Sequence, residues 1–363
     1  MSWGDLGKKW RVRYQMVTPA NLDSIVGDMD GVIASGASVT ESYYTDTRCQ
    51  ASLSYVGGAW QRQTWIRIIA EVPDEGYSEE LGTFLVSSDD ASASSGEWTT
   101  SLSLESSLYA LSVQAGTEPW TCCAGSMALP VMKQMLDKCH RAYIDKGATD
   151  YRFGSNLVYE TGGTYLERLY DLADLTNTRL DVDGHGRVTL SQYVAPKYRT
   201  PTFTIDLAAA DGIAQDGLSR SSDYLSRPTE CVVYHQEGSD DDKWEVRGIA
   251  TNGGHVSYGQ RGYVITKVVN LSDMSPATWD YATQQARERL NKSGSEGIEW
   301  TLTTEYMPVH AGDVGYLQNT GDPEYSARQT VMVKERTLDL EHMTLQLTLK
   351  LVGDYDTDGS DES

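Results

Sequence analysis

Apolar and polar positions alternate with a period of two through residues 9–113. Val12, Tyr14 and Met16 share one face against Arg11, Arg13 and Gln15, and Ile66, Ile68, Ala70 and Val72 repeat the pattern. Residues 229–352 show it again, ending with Leu345, Leu347, Leu349 and Leu351 against Thr344, Gln346, Thr348 and Lys350. This is the spacing of a half-buried strand. It predicts strands near 9–18, 43–55, 62–72, 80–87 and 97–113, with the Ser/Asp/Gly-rich stretch 87–96 as a loop.

The period changes between the two blocks. Val131, Met135, Leu136, Cys139 and Ala142 fit one helical face over 129–145, with Pro130 in the first turn. A second helix is predicted to begin at Thr164, where Thr164 and Glu167 have capping-box spacing. Leu166, Leu169, Tyr170 and Ala173 form its buried stripe. A hairpin follows over 179–182 and 187–193, turning through Asp183-Gly184-His185-Gly186.

Strands near 229–236 and 243–250 flank an acidic turn at 238–242. A strand near 262–271 leads to a helix with Ser275 as cap, Pro276 at its first position and Gly294 as its stop. Trp279, Ala282, Ala286 and Leu290 make its apolar face. Strands near 297–305, 313–318, 327–338 and 341–352 end the pattern, and the acidic residues from Asp354 onward read as a disordered tail.

The fold class expected is mixed but mainly β. Residues 1–114 form a first β domain, completed by part of 200–226, and 115–200 form an α/β lobe. Residues 227–272 and 296–352 form a second β domain, with 273–295 as an inserted helix and 353–363 as the tail. Glu80–Leu111 and Ala311–Leu351 follow a matching order of elements, which predicts that the two β domains are related.

Charge changes the picture most. The chain of 363 residues carries 30 basic and 52 acidic side chains, a net charge of −22. Such a surface does not hold nucleic-acid phosphates by displacing counterions. It suits either plain solubility or a wall along which DNA slides. The 22 Tyr and 9 Trp against 3 Phe suit strand positions or contact surfaces. Five cysteines without C-x-x-C spacing, two of them adjacent at Cys122 and Cys123, predict reduced thiols in a protein folded in a cytosol. Neither a secretion signal nor an 18-residue apolar run is found, so no membrane span is expected.

Chemistry-bearing motifs are scarce. His140, His185, His235, His255, His310 and His342 are scattered, without H-E-x-x-H spacing. Nucleophile-elbow, dinucleotide and phosphate-loop signatures are missing. Asp354-Tyr-Asp356-Thr-Asp358-Gly359 opens like a calcium loop, but its twelfth position would fall beyond Ser363. No catalytic, cofactor-binding or metal-ligating residue is assigned, and no cofactor is expected. Two function classes remain: a structural adaptor, and a carbohydrate-binding or glycan-cleaving β protein suggested by the Tyr/Trp excess.

The β block ending in Glu80–Val86 is followed by the helix from Thr164 and the hairpin Leu180-Asp-Val-Asp-Gly-His-Gly-Arg-Val-Thr-Leu190. After Arg227-Pro228 comes the strand Glu230-Cys-Val-Val-Tyr-His235, and a helix-bearing β block ends the chain. This order, over roughly 10–352, resembles the tail-hub family of long-tailed bacteriophages, which includes contractile-baseplate hubs and the N-terminal part of tail-associated lysins. The resemblance implies two similar β-barrel-like tube domains per chain and a homotrimeric ring of pseudo-sixfold symmetry. Such a ring adapts a hexameric tail tube or distal tail ring to a trimeric fibre or spike in the virion tail tip. It also implies a DNA channel without specific binding and allows a tape measure protein as partner. The sequence departs from the lysin-bearing members in stopping at Ser363, so any lytic or receptor-binding part is expected on a separate chain. A distal tail ring protein, shorter and hexameric, is the nearest structural alternative.

Overall fold

In a computed structural model of the chain, described for residues 9–60, 63–209, 217–222, 228–237, 244–253, 257–271, 278–293, 298–323, 325 and 327–352, the period-two segments are strands. The first block runs through β1 (Arg11–Thr18), β2 (Asn21–Asp28), β3 (Val32–Ser42), β4 (Cys49–Val56), β5 (Trp65–Val72), β6 (Tyr77–Ser94) and β7 (Glu97–Glu105). Helix α1 (Ser107–Ser112), β8 (Trp120–Cys122), α2 (Ala128–Lys138), β9 (Tyr143–Lys146) and β10 (Leu157–Tyr159) lead to α3 (Tyr165–Leu175) and the hairpin β11 (Thr178–Val182) and β12 (Val188–Gln192). Next come β13 (Phe203–Asp206), β14 (Ser219–Ser222), β15 (Glu230–Glu237), β16 (Trp244–Thr251), α4 (Tyr258–Arg261), β17 (Thr266–Asn270) and α5 (Trp279–Ser293). The chain finishes with β18 (Ile298–Glu305), β19 (Val314–Gln318), β20 (Gln329–Asp339) and β21 (Thr344–Leu351).

Both blocks enter one 13-stranded sheet, whose main path is β14-β18-β21-β20-β3-β4-β7-β6-β5-β1-β2. Every pairing in it is antiparallel except that of β13 with β19. The blocks join where β20 pairs with β3, from Glu335 opposite Ser42 to Asp339 opposite Ser38. A single apolar core spans this seam, from Ile66, Phe84 and Leu104 of the first block to Trp300, Leu345 and Leu347 of the second. The path is open at β14 and β2, and no closed barrel is found among the described residues.

Several expectations change. Residues 87–96, expected as a loop, continue β6 into a two-stranded ribbon with β7 that turns at Ser95-Gly96. Both turn residues have positive φ, as a tight two-residue hairpin requires. The ribbon is solvated on both faces, so its sequence carries no apolar alternation. The largely exposed strand β2 was hidden for the same reason, whereas β3 buries only Ala37, Val39 and Ser42 along its 11 residues, too few to set up an apolar alternation. Residues 97–113 are not one strand: after Glu105 the chain turns helical, and Leu108 and Leu111 are buried at a helical spacing. The helix expected over 129–145 ends at Lys138, and Tyr143–Lys146 is a strand.

Sheet membership also differs. β13 and β14, expected to complete the first block, pair with β19 and β18 of the second. The strands within 227–272 form their own sheet, β16-β15-β17, instead of joining those of 296–352. Helix α5 lies on that sheet so closely that a Cβ at Gly248 would fall 2.1 Å from the backbone of Ala282. Ala282, Ala286 and Leu290 are buried there as expected, whereas Trp279 is 60% exposed. Their core is continuous with that of the helical lobe, where Leu169 of α3 packs with Leu180, Val188 and Leu190. The capping box at Thr164 and Glu167 is formed. The turn at 238–242, Ser275, Pro276, Gly294 and the segment 353–363 lie outside the described residues.

Candidate functional site

The seam carries a buried polar network. Arg336 of β20 is 1% exposed; its Nη1 donates to the Val309 carbonyl at 2.7 Å, and its Nη2 pairs with the Glu41 carboxylate of β3. Glu41 also lies 3.3 Å from His310 Nδ1 and accepts the Ala311 N–H at 3.3 Å. The other ring nitrogen of His310 is 3.5 Å from Glu79 Oε1 of β6. Glu79 Oε2 accepts the hydroxyls of Tyr77 and Tyr306.

The electrostatics follow from this geometry. Burial favours the neutral form of Glu41, but the Arg336 and His310 charges outweigh it and lower its pKa to about 2. Burial opposes the charge on Arg336 too, and Glu41 overcomes it, so its pKa rises. For His310, burial pulls the pKa down, the hydrogen bond to Glu41 and the two carboxylates pull it up, and the net shift is upward.

Next to the network is a cavity of about 330 Å³. Its far wall is the β11–β12 turn, which presses on β6: Thr83 Oγ1 donates to the Gly184 carbonyl at 2.8 Å. A Cβ at Gly184 would sit 2.4 Å from the Glu80 carbonyl oxygen, so the turn approaches β6 at a distance only glycine permits. Arg179 and Asp181 of β11 pair across 2.5 Å on the same wall. Cys49 borders the cavity, and burial, then the negative charge of Glu41, pushes its thiol pKa well up. At neutral pH it stays protonated and is a poor nucleophile. The arrangement links β3, β6, the 306–313 loop and the lobe hairpin through charge pairs already made within the chain.

At the level of sequence, no family model and no curated protein matches the chain. Solved structures do. A tail protein from Neisseria meningitidis MC58 superposes with a TM-score of 0.65 at 14% identity, over 94% of this chain and 96% of that one. The 43 kDa tail protein of prophage MuSo2 from Shewanella oneidensis gives 0.65 at 10% identity, over 94% and 98%. This chain has the phage tail-protein fold. An E. coli component of the type VI secretion system, itself described as similar to T4 bacteriophage tail proteins gp27 and gp5, matches with 0.52 at 10% identity, over 95% and 77%.

Within this tail-protein fold the histidines are dispersed. His185 Nε2 is 2.9 Å from Glu80 and its Nδ1 is 3.5 Å from Asp23. His342 pairs with Asp339 at 3.1 Å, and buried His235 contacts the Leu271 carbonyl at 2.9 Å. His140 follows α2 with a positive φ, and His255 lies outside the described residues. Among the described residues no group of three or more His, Cys, Asp or Glu side chains is placed to hold a metal ion. The His310 and His185 contacts join residues far apart in sequence, so no local motif announced them.

The surfaces of the tail-protein fold that remain open are strand edges and ribbons. β2 ends the sheet path with Ile25 and Val26 more than half exposed, and β14 ends it on the other side. The β6–β7 ribbon projects from the sheet with Ser87–Ser94 largely exposed and Trp98 half exposed.

Proposed function

We propose that the chain is a structural, non-enzymatic hub of a phage-type tail tip. The observation that carries this reading is the likeness to tail proteins along nearly the whole of both chains. In this reading each subunit offers two related tube-wall segments, one on each side of the β3–β20 seam. Three subunits then close a ring of pseudo-sixfold symmetry. The seam supports the reading, because a subunit that transmits load between a tube above and a fibre or spike below needs its two halves rigidly joined. The outer edges of β2 and β14, which have no strand partner among the described residues, support it as well, since such edges are natural sites for a neighbouring subunit. The subunits would assemble in the bacterial cytoplasm, and the net charge of −22 would keep passing DNA from adhering to the ring.

Native mass spectrometry of the purified chain, alone and with a distal tail ring, tests the proposal. A trimer is expected. A stable hexamer would favour a distal ring protein, and a monomer at every concentration and with every ring partner would overturn the hub reading. Tight DNA binding at low salt would remove the channel role.

A further inference from the structure

For so acidic a chain, one part of the surface is unexpectedly cationic. Three guanidinium groups surround the ring of Tyr43: Arg179 at 4.3 Å, Arg199 at 5.3 Å and Arg48 at 5.9 Å from its centroid. Beside it, the Lys350 ammonium lies 4.9 Å from the ring of Tyr44, which is 44% exposed. Arg179 has Asp181 as its ion-pair partner. Arg48 and Arg199 have none among the described residues. Arg199 donates to the Val194 and Gly312 carbonyls and the Tyr43 hydroxyl, and Arg48 to the Leu180 and Tyr43 carbonyls. These neutral acceptors fix the two guanidinium groups in place, and neither has a carboxylate at ion-pair distance among the described residues; Glu299, which acts on the Tyr44 hydroxyl, is paired with Lys334.

The chain leaves the large sheet at this spot. Val352, the residue after β21, packs with Tyr43, Val314 and Met332 and donates its N–H to the Thr330 carbonyl at 2.9 Å. The 11 residues that follow, 353–363, carry Asp354, Asp356, Asp358, Asp361 and Glu362 with no lysine or arginine. They reach up to about 36 Å when extended, more than enough to cover the patch. Tethering at Val352 holds the segment there at a local concentration of about a millimolar, which a free acidic peptide must exceed to compete.

We propose that the Arg48, Arg199 and Lys350 patch docks the acidic segment 353–363 of the same chain, carboxylates against guanidinium groups and Tyr355 against the exposed tyrosine face. The inference does not depend on the tail-tip reading. Charge complementarity and the exit point of the chain carry it. The occupied patch would no longer offer cationic surface to DNA or to an acidic partner.

Photo-crosslinking in the full chain tests it, with Tyr355→p-benzoylphenylalanine as the probe and mixed isotope-labelled copies to separate contacts within a chain from those between chains. Crosslinks within one chain to residues around Tyr44, Arg199 and Lys350 are expected. Their yield should fall about tenfold in about 0.5 M salt or when Asp354, Asp356 and Asp358 are replaced by Asn. Lys350→Ser should lower it by a smaller factor, and the Asn replacements keep the test readable if a patch variant folds poorly. Crosslinks to another surface, crosslinks only between chains, or a yield indifferent to both salt and the Asn replacements would overturn the proposal.

Discussion

The seam of the large sheet and the core of the helical lobe each bury an arginine almost completely, and they treat it differently. Arg336 at the seam, 1% exposed, is matched by the Glu41 carboxylate, the Val309 carbonyl and a histidine-bridged second glutamate. Arg168 in the lobe, 2% exposed, donates from Nη2 to the Glu160 carbonyl at 2.6 Å and lies 5.8 and 5.4 Å from the ring centroids of Tyr159 and Tyr165. Its Nε and Nη1 meet no hydrogen-bond partner among the described residues. Charge pairing needs an anion from elsewhere in the chain, so Arg336 draws together strands that are distant in sequence. Aromatic faces are supplied locally, by residues within one helix and the strand before it. The seam therefore uses electrostatics to join remote segments, while the lobe relies on apolar packing and local caps.

The largest effect expected is at the seam. Glu41→Gln leaves the Arg336 charge buried without its partner and should cost about 3–5 kcal/mol in denaturant unfolding at neutral pH. The sign with pH follows from the shift. The folded pKa of Glu41 is lowered from its ordinary 4.5 to about 2. Its stabilisation is therefore fully present above 4.5 and disappears as pH falls towards 2, where wild type and variant should converge. Equal stability of the two at pH 7 would show that the seam does not depend on the pair.

In the lobe, Leu169→Asp places a charge in the fully buried contact between α3 and the β11–β12 hairpin, and a loss of about 3 kcal/mol is expected. Unchanged thermal unfolding would remove that contact from the account. Thr164→Ala deletes the side-chain half of the capping box and should cost about 1 kcal/mol in thermal unfolding at neutral pH.

The smallest effect is at His310, whose side chain is 48% exposed and therefore well screened. Its pKa is raised above 6.5, so its contribution is present below 6.5 and fades as pH rises through the folded value. His310→Gln should lower the melting temperature by one or two degrees at most near pH 6 and leave it unchanged well above neutrality. A larger loss at high pH than at low would contradict the bridging role.

How much of this was legible in the sequence depended on whether the signal was local. The capping box at Thr164, the turn at Asp183–Gly186 and the leucine alternation of β21 are each written within a dozen residues, and all are formed. β2 and the outer half of β6 lack apolar alternation because water covers them, and the period-two criterion misses such strands; β3 is missed because its buried positions are only Ala37, Val39 and Ser42, too few to set up an apolar stripe. Sheet membership was the least legible: Phe203 pairs opposite Gly315, and Glu230 opposite Thr266, through choices no local pattern encodes. The Glu41–His310–Glu79 arrangement was hidden because its members meet only after β3 and β20 pair. His310 on its own reads as one more histidine in a loop.

The β3–β20 pairing also bears on how the chain is made. Ser42 leaves the ribosome long before Glu335, and at about 5–20 residues per second the interval is on the order of 15–60 s. Throughout that time the β20-facing edge of β3 has no native neighbour, and Glu41 awaits its arginine. A nascent first block is thus a ready template for the edge strand of another nascent chain, especially on a polysome where copies crowd together. Synthesis speed over the second half of the message, rather than the stability of the finished subunit, would then set how many chains reach assembly intact.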